Sequence, residues 1–224
     1  MNIAVIPARK ASKSIINKNL QKLGTKDLID RAVKSAMDAG FFDRIILSTD
    51  IETKIIDYED QTKIEVILRT QDLATDQTKM IEVILSLIEN EKLNGTIWIL
   101  QPTSPYRLTS DFESIKKMML KASSVISVSV VGGHHPDRMY TVHDGKLFPL
   151  KTKRSIVFKN RQDLDQVFIR SGHYYVADSK DILENKSFFI QPSHAFIIPE
   201  ERASNIDSQI DLIYAKAIQR VYGL

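Results

Sequence analysis

The chain has no cysteine, and that absence removes disulfides, zinc–thiolate centres and thiol nucleophiles from consideration together. Long apolar runs are missing as well. No stretch approaches the roughly 20 residues that a membrane-spanning helix needs, and the N-terminus runs straight into an apolar strand without a charged leader or a small-residue cleavage site. The expected setting is therefore cytoplasmic, with no membrane partner. A large excess of one charge is also lacking: 31 Lys and Arg stand against 28 Asp and Glu, a net charge of +3. Acids interleave with bases along most of the chain, which excludes the basic track of a nucleic-acid binder and suits small anionic substrates. No internal repeat or low-complexity tract interrupts the 224 residues, which are enough to bury one sizeable core.

What is present alternates between two periods. Apolar residues spaced for a helix run over Asp27 to Gly40, Gln77 to Glu91, Thr109 to Lys121 and Asp207 to Tyr222, with shorter helices at Ile51 to Tyr58 and Ser179 to Asn185. Between them lie short apolar runs of strand length: Asn2 to Pro7, Arg44 to Asp50, Ile64 to Leu68, Thr96 to Leu100, Ser124 to Val131, Val167 to Val176 and Ala195 to Ile198. This order predicts an α/β fold, a mostly parallel Rossmann-like sheet covered by helices on both faces. Residues 132–165 break the pattern with short alternating pieces around Asp144-Gly145, a β-hairpin that predicts an arm packed on another subunit.

The first strand carries the most suggestive chemistry. It ends at Pro7, and the twelve residues from Ala8 to Asn19 then supply four cations, two hydroxyls and two amides. In an open parallel sheet ligands bind beyond the carboxyl ends of strands, and a polyphosphate needs cations and N–H donors around its oxygens.

This loop resembles the signature of the cytidylyltransferases that activate nonulosonic sugar acids, the sialic acid class. There the first strand ends in Pro-Ala-Arg, and Gly-Gly-Ser-Lys-Gly leads to Lys-Asn; Pro7-Ala8-Arg9, Ser12-Lys13 and Lys18-Asn19 match at the same spacing. Lys10, Ala11 and Ser14 stand where that family usually has glycine, and Ile16 where it has proline, so the cations are kept while the loop loses freedom. The likeness continues at other strand ends. Ser48-Thr49-Asp50 is similar to the family's Ser-Thr-Asp, although Ser48 is better accounted for as a polar strand end that caps the following helix. Arg69, before Leu73-Ala74-Thr75-Asp76, resembles the arginine set on cytosine, whose O2 and N3 suit a donor-only guanidinium. Lys79 and Met80 replace the hydroxyls that usually follow.

Gln101-Pro102-Thr103-Ser104-Pro105 with Arg107 is the most discriminating match. Relatives acting on the eight-carbon acid Kdo carry Gln-Gly-Asp-Glu-Pro there, with a metal-binding aspartate, so Thr103 favours the nonulosonate branch; a capped helix start at Ser104 or Thr109 is the plainer alternative. Arg161-Gln162, with Gly172 and Tyr174, resembles the segment completing the sugar site across a dimer. Ile169 takes the place of a usual arginine, and Arg170, one residue along, points to the opposite strand face. Asn205-Ile206-Asp207 stands at the family's Asp-x-Asp, which holds Mg²⁺. Asp207 could instead cap the last helix.

The resemblance implies one domain over residues 1–224, with 132–165 as dimerisation arm, acting as a homodimer that transfers CMP from CTP to a nine-carbon sugar acid. It implies Arg9, Lys13, Lys18 and Asp207 as catalytic; Ala8, Arg9, Ser12, Asn19 and Arg69 around the nucleotide; Gln101, Thr103, Ser104, Arg161, Gln162 and Tyr174 around the sugar; and Asp207 with Asn205 on Mg²⁺. Two alternatives stay open: a relative that holds a nucleotide without turning it over, and a Kdo-type enzyme.

Overall fold

A computed structural model describes residues 1–12, 14–150 and 160–224. Strand β1 (Asn2–Ala8) alternates Ile3 and Val5 toward one face and Ala4 and Ile6 toward the other, all fully buried. Such two-sided burial requires a covering layer on each side. A short hairpin, β2 (Lys22–Leu23) and β3 (Lys26–Asp27), which the sequence reading did not foresee, leads into α1 (Leu28–Ala39). Asp27 caps that helix by accepting from the Asp30 N–H at 2.8 Å, and Gly40 ends it at φ 70°.

Next come β4 (Arg44–Thr49), α2 (Glu52–Glu59), β5 (Glu65–Leu68), α3 (Met80–Asn90), β6 (Thr96–Ile99), α4 (Thr109–Met119) and β7 (Ser124–Val130). A separate hairpin of β8 (Tyr140–His143) and β9 (Lys146–Pro149) turns at Asp144 and Gly145, both with positive φ, as the sequence predicts. The chain closes with β10 (Phe168–Asp178), α5 (Ser179–Asn185), β11 (Ser193–Ile197) and α6 (Gln209–Tyr222).

Seven strands form one sheet in the order β11-β7-β10-β6-β1-β4-β5. All neighbours are parallel except β10, which runs against both β6 and β7. The parallel strands β1, β4, β5 and β6 therefore end on one edge, and β10 brings its beginning to that edge. Helices α1 and α4 cover one face through Ile29, Val33, Phe112 and Ile115 around Trp98; α3 and α5 cover the other through Ile84, Leu87, Ile88 and Ile182. A third apolar cluster joins Ile15 of the first loop to Leu23, Tyr106, Ile206 and the Leu212, Ala215 and Ile218 face of α6. That cluster fastens the basic loop to the C-terminal segment. No helix among the described residues is long and apolar enough to cross a membrane.

Candidate active site

At the edge where β1, β4, β5 and β6 end, a cavity of about 390 Å³ opens between the first loop, Arg69, the Gln101–Thr103 turn and the Asn205–Asp207 segment. Three ties hold these pieces together. The Ile206 N–H donates to the Thr103 carbonyl at 2.8 Å, the Asn19 amide donates to the Arg9 carbonyl at 2.8 Å, and the Lys10 N–H donates to the Asp50 carboxylate at 2.7 Å. Lys18, 189 positions before Asp207, then sets its Nζ 2.9 Å from Asp207 Oδ1 at the cavity wall.

Asp207 is not the cap of α6. Ser208 takes that place, its Oγ accepting from the Asp211 N–H at 3.3 Å, while Asp211 Oδ2 accepts from the N–H groups of Ser208 and Asp207. The Asp207 carboxylate is thereby left for the cavity, with its side chain 64% exposed. Asn205 donates its amide N–H to Asp207 Oδ2 at 2.7 Å, which orients the carboxylate, and its Oδ1 lies 3.4 Å from the Ser104 hydroxyl. No group of three or more His, Asp and Glu side chains at metal spacing occurs among the described residues. One exposed carboxylate suits Mg²⁺, which takes most of its ligands from water and phosphate oxygens.

Arg9 lines the cavity but is engaged, donating to the Thr75 carbonyl at 2.7 Å and lying 3.0 Å from Asp76. It ties the first loop to the segment after β5. Arg69 is 9% exposed; one nitrogen donates to the Ser48 carbonyl at 3.3 Å, and Nε finds no acceptor among the described residues. Burial draws its pKa down, with the Asp50 charge opposing and Arg9 assisting. The Arg69 guanidinium thus lines the cavity with one buried N–H left without an acceptor among the described residues. Ser48 does not cap α2; Thr49 Oγ1 accepts from the Ile51 N–H at 3.1 Å.

Several expected residues lie elsewhere. The Ala8 side chain is in the core, and Ser12 is not among the cavity-lining residues. Ser104 is fully buried behind Gln101, donating to the Ser171 carbonyl at 3.0 Å, and neither it nor Thr109 caps α4, where the Leu108 N–H donates to Asp111. Tyr174 is a core residue too: its ring packs against Phe112 and Phe196 and its hydroxyl donates to Asp111. The tyrosine on the cavity is Tyr175, one position further along the strand. Gln162 is exposed and away from the lining, while Lys13 and the Arg161 side chain lie outside the described residues.

The Gln101 turn is fixed from behind. Gly172 sits at φ 78°, and a Cβ there would lie 2.6 Å from Gln101 Oε1 and 2.7 Å from Ser104 Oγ, so a side chain is excluded by both space and backbone. The buried Arg107 donates to the carbonyls of Gln101 and His173 at 2.6 and 3.0 Å. Burial together with the Arg107 charge pushes His173 down to about 3, so this fully buried imidazole is neutral.

Tyr175 also walls a second, larger cavity of about 600 Å³. Ile81, Val128, Phe188 and Phe189 give it apolar sides, and Arg170 and Lys186 add cations. Arg170 thus serves this cavity and not the first, as expected of a one-residue shift along a strand.

Comparison with known proteins bears directly on this geometry. A family model described as Cytidylyltransferase matches residues 3–182. The chain belongs to the cytidylyltransferase family. Among curated relatives it is 29% identical over 222 residues to the N-acylneuraminate cytidylyltransferase of Streptococcus agalactiae serotype III, covering 95% of this chain and 52% of that protein. This cytidylyltransferase chain thus spans about half the length of the first relatives it matches. It is also 29% identical over 217 residues to the CMP-N,N'-diacetyllegionaminic acid synthase of Legionella pneumophila, covering 93% and 92% of the two chains. Among solved structures, a CMP:2-keto-3-deoxy-manno-octonic acid synthetase complexed with CTP superposes with a TM-score of 0.70 at 14% identity, covering 98% of each chain, which supports the nucleotidyltransferase-type fold.

Sequence reasoning overlooked two residues that shape the site. Tyr175 is concealed by the irregular pairing of β10, and Asp111, which organises the wall behind Gln101, carries no motif.

Proposed function

We propose that this cytidylyltransferase transfers CMP from CTP to the anomeric hydroxyl of a nonulosonic sugar acid. The observation that carries the reading is the meeting of Lys18 and Asp207 at the wall of a cavity that Arg9, Arg69 and Gln101 also line. In this reading the sugar hydroxyl oxygen forms the new bond to the α-phosphorus, the bond to the β-phosphate oxygen breaks, and pyrophosphate leaves with the electron pair while the hydroxyl proton passes to water. No side chain at the cavity is placed as general base. Catalysis then comes from positioning and from charge held against the departing pyrophosphate.

Arg69 presents donors to cytosine. Lys18 and Arg9 of the first loop face the phosphates, with Lys13, which lies outside the described residues, assigned beside them by the family likeness alone, and Asn19 holds the loop's shape through the Arg9 carbonyl. Mg²⁺ on Asp207 would supply charge neutralisation among phosphate oxygens. Gln101 and Thr103 lie toward the acceptor, whose acyl groups and carboxylate suit the neighbouring cavity, with apolar sides at Phe188 and Phe189 and cations at Arg170 and Lys186.

The hairpin supports a homodimer. Val142, Leu147 and Phe148 are exposed at 62%, 66% and 47% on a two-stranded projection, which is marginal without a partner. The arm expected over residues 132–165, of which 151–159 lie outside the described residues, then brings Gln162 toward the other subunit's acceptor cavity.

Pyrophosphate release should require CTP, Mg²⁺ and one member of a panel of nine-carbon sugar acids. Release with none of the panel overturns the reading. The amide at Asn205, which leaves Asp207 as the sole carboxylate of that segment, favours one second reading: a protein that binds CTP without turnover, revealed by heat of CTP binding without product.

A further inference from the structure

A second basic pocket borders the far end of the segment that begins at Gln101. Lys26, Arg31, Lys34 and Arg107 line a cavity of about 340 Å³ among the Arg31–Asp38 face of α1, the start of α4 and the end of α6. Its wall includes one carboxylate, Asp38, which Lys34 Nζ already holds at 2.6 Å, and the Thr109 hydroxyl residue at the first position of α4.

The two arginines are the informative pair. Arg31 donates to the Leu23 carbonyl at 3.3 Å and lies over the Tyr106 ring, but its Nε has no acceptor among the described residues. Arg107 is 9% exposed and spends two nitrogens on backbone carbonyls, leaving Nη1 without an acceptor there. Burial lowers the pKa of both, to about 10 for Arg107, where Tyr174 and Asp111 oppose it only in part. Lys26 and two partly desolvated guanidiniums gather around one hollow with Lys34, whose charge Asp38 offsets, and each arginine has one buried N–H without an acceptor among the described residues.

We propose that this pocket binds a phosphate-class dianion, and that Arg107 transmits its occupancy to Gln101. A phosphate oxygen takes a charge-assisted hydrogen bond from a single guanidinium N–H or an ammonium and gains from partly buried cations. Transmission follows from Arg107 Nη2, which donates to the Gln101 carbonyl at 2.6 Å while the Gln101 side chain lines the nucleotide cavity. A shift of the guanidinium toward an anion moves that turn. The coupling rests on the nucleotide reading of that cavity; the binding does not.

Inorganic phosphate titrated into the full chain by calorimetry should show a saturable site. The exposed-lysine variant Lys26→Gln/Lys34→Gln should weaken it by about tenfold or more, the scale of losing one charge-assisted contact, and Lys26→Arg/Lys34→Arg should restore it. Lys18→Gln, which empties a cation from the nucleotide cavity, should weaken CTP binding and leave phosphate binding intact. Saturating phosphate should change CTP affinity by about fivefold in the parent protein and not in Lys26→Gln/Lys34→Gln. Phosphate affinity that ignores the two lysines, or that vanishes in Lys18→Gln, overturns the site. CTP affinity blind to phosphate in the parent protein overturns the coupling alone.

Discussion

Two ion pairs fasten the C-terminal segment to the rest of the domain, one to α4 and one to the first loop, and they are opposites. Arg202 grips Asp111 in a two-pronged bond at 2.7 and 3.0 Å, with the residues 8% and 4% exposed, while the Tyr174 hydroxyl donates to the same carboxylate and Arg202 also reaches the Tyr106 carbonyl. Lys18 and Asp207 share a single 2.9 Å contact at the wall of an open cavity. The first pair cannot open without stranding a charge away from water, which costs several kcal/mol. The second opens at little cost, because water or a ligand replaces either partner. The buried pair therefore fixes where residues 205–207 sit, and the exposed pair is what that placement makes available for chemistry.

Variants that break one pair and not the other sharpen the contrast. Asp111→Ala leaves the buried Arg202 without a counter-charge, with the Tyr106 carbonyl still accepting from it, and takes an acceptor from Tyr174; unfolding in urea should show a loss of about 3–5 kcal/mol. Lys18→Gln should do the reverse. Its unfolding free energy should change by less than about 1 kcal/mol, while kcat for CMP transfer falls by about 10²–10³, the loss associated with one stabilising donor at developing charge. A Lys18→Gln protein that turns over normally removes Lys18 from the mechanism.

The same contrast explains what the sequence made legible. The cavity was readable because its parts are strand ends, and strand ends are marked by polar residues after apolar runs, as at Arg9, Arg69 and Gln101. The buried pair was not, because Arg202 and Asp111 lie 91 positions apart on elements whose apolar periodicity alone is visible. Tyr174 was placed on the wrong side for a related reason. Pairing of β10 with β7 shifts between Arg170 and Tyr175, with Gly172 at positive φ inside the shift, so counting alternate faces from the strand's start fails. At α6 the sequence reading named Asp207 as a possible cap, but Ser208 with Asp211 three residues on forms the reciprocal pair that Asp207 cannot.

A third prediction tests the buried side of the comparison by pH. His173 has a folded-state pKa of about 3 against an ordinary 6.5, because burial and Arg107 disfavour the imidazolium. The depressed value means the neutral ring is the folded form. Stability is therefore full above about pH 6.5 and falls as pH drops toward 3, by about 2 kcal/mol at pH 5. His173→Phe, which keeps a ring in the same space, should flatten that slope in urea unfolding between pH 6.5 and 4. An unchanged slope assigns acid sensitivity to the carboxylates instead.

The smallest expected effect on stability probes the seam between the two regions. Gly172→Ala must hold an alanine at φ 78°, at a cost of about 1–2 kcal/mol, and must push Gln101 Oε1 away from a Cβ built 2.6 Å from it. The backbone cost acts on the fold, whereas the displaced Gln101 acts on the cavity. If Gln101 faces the acceptor, the sugar-acid KM should rise well beyond the few-fold change in the KM for CTP that a moved Gln101 turn brings. Equal rises in both would place Gln101 on the nucleotide, and an unfolding loss with unchanged kinetics would show that Gly172 shapes only the strand.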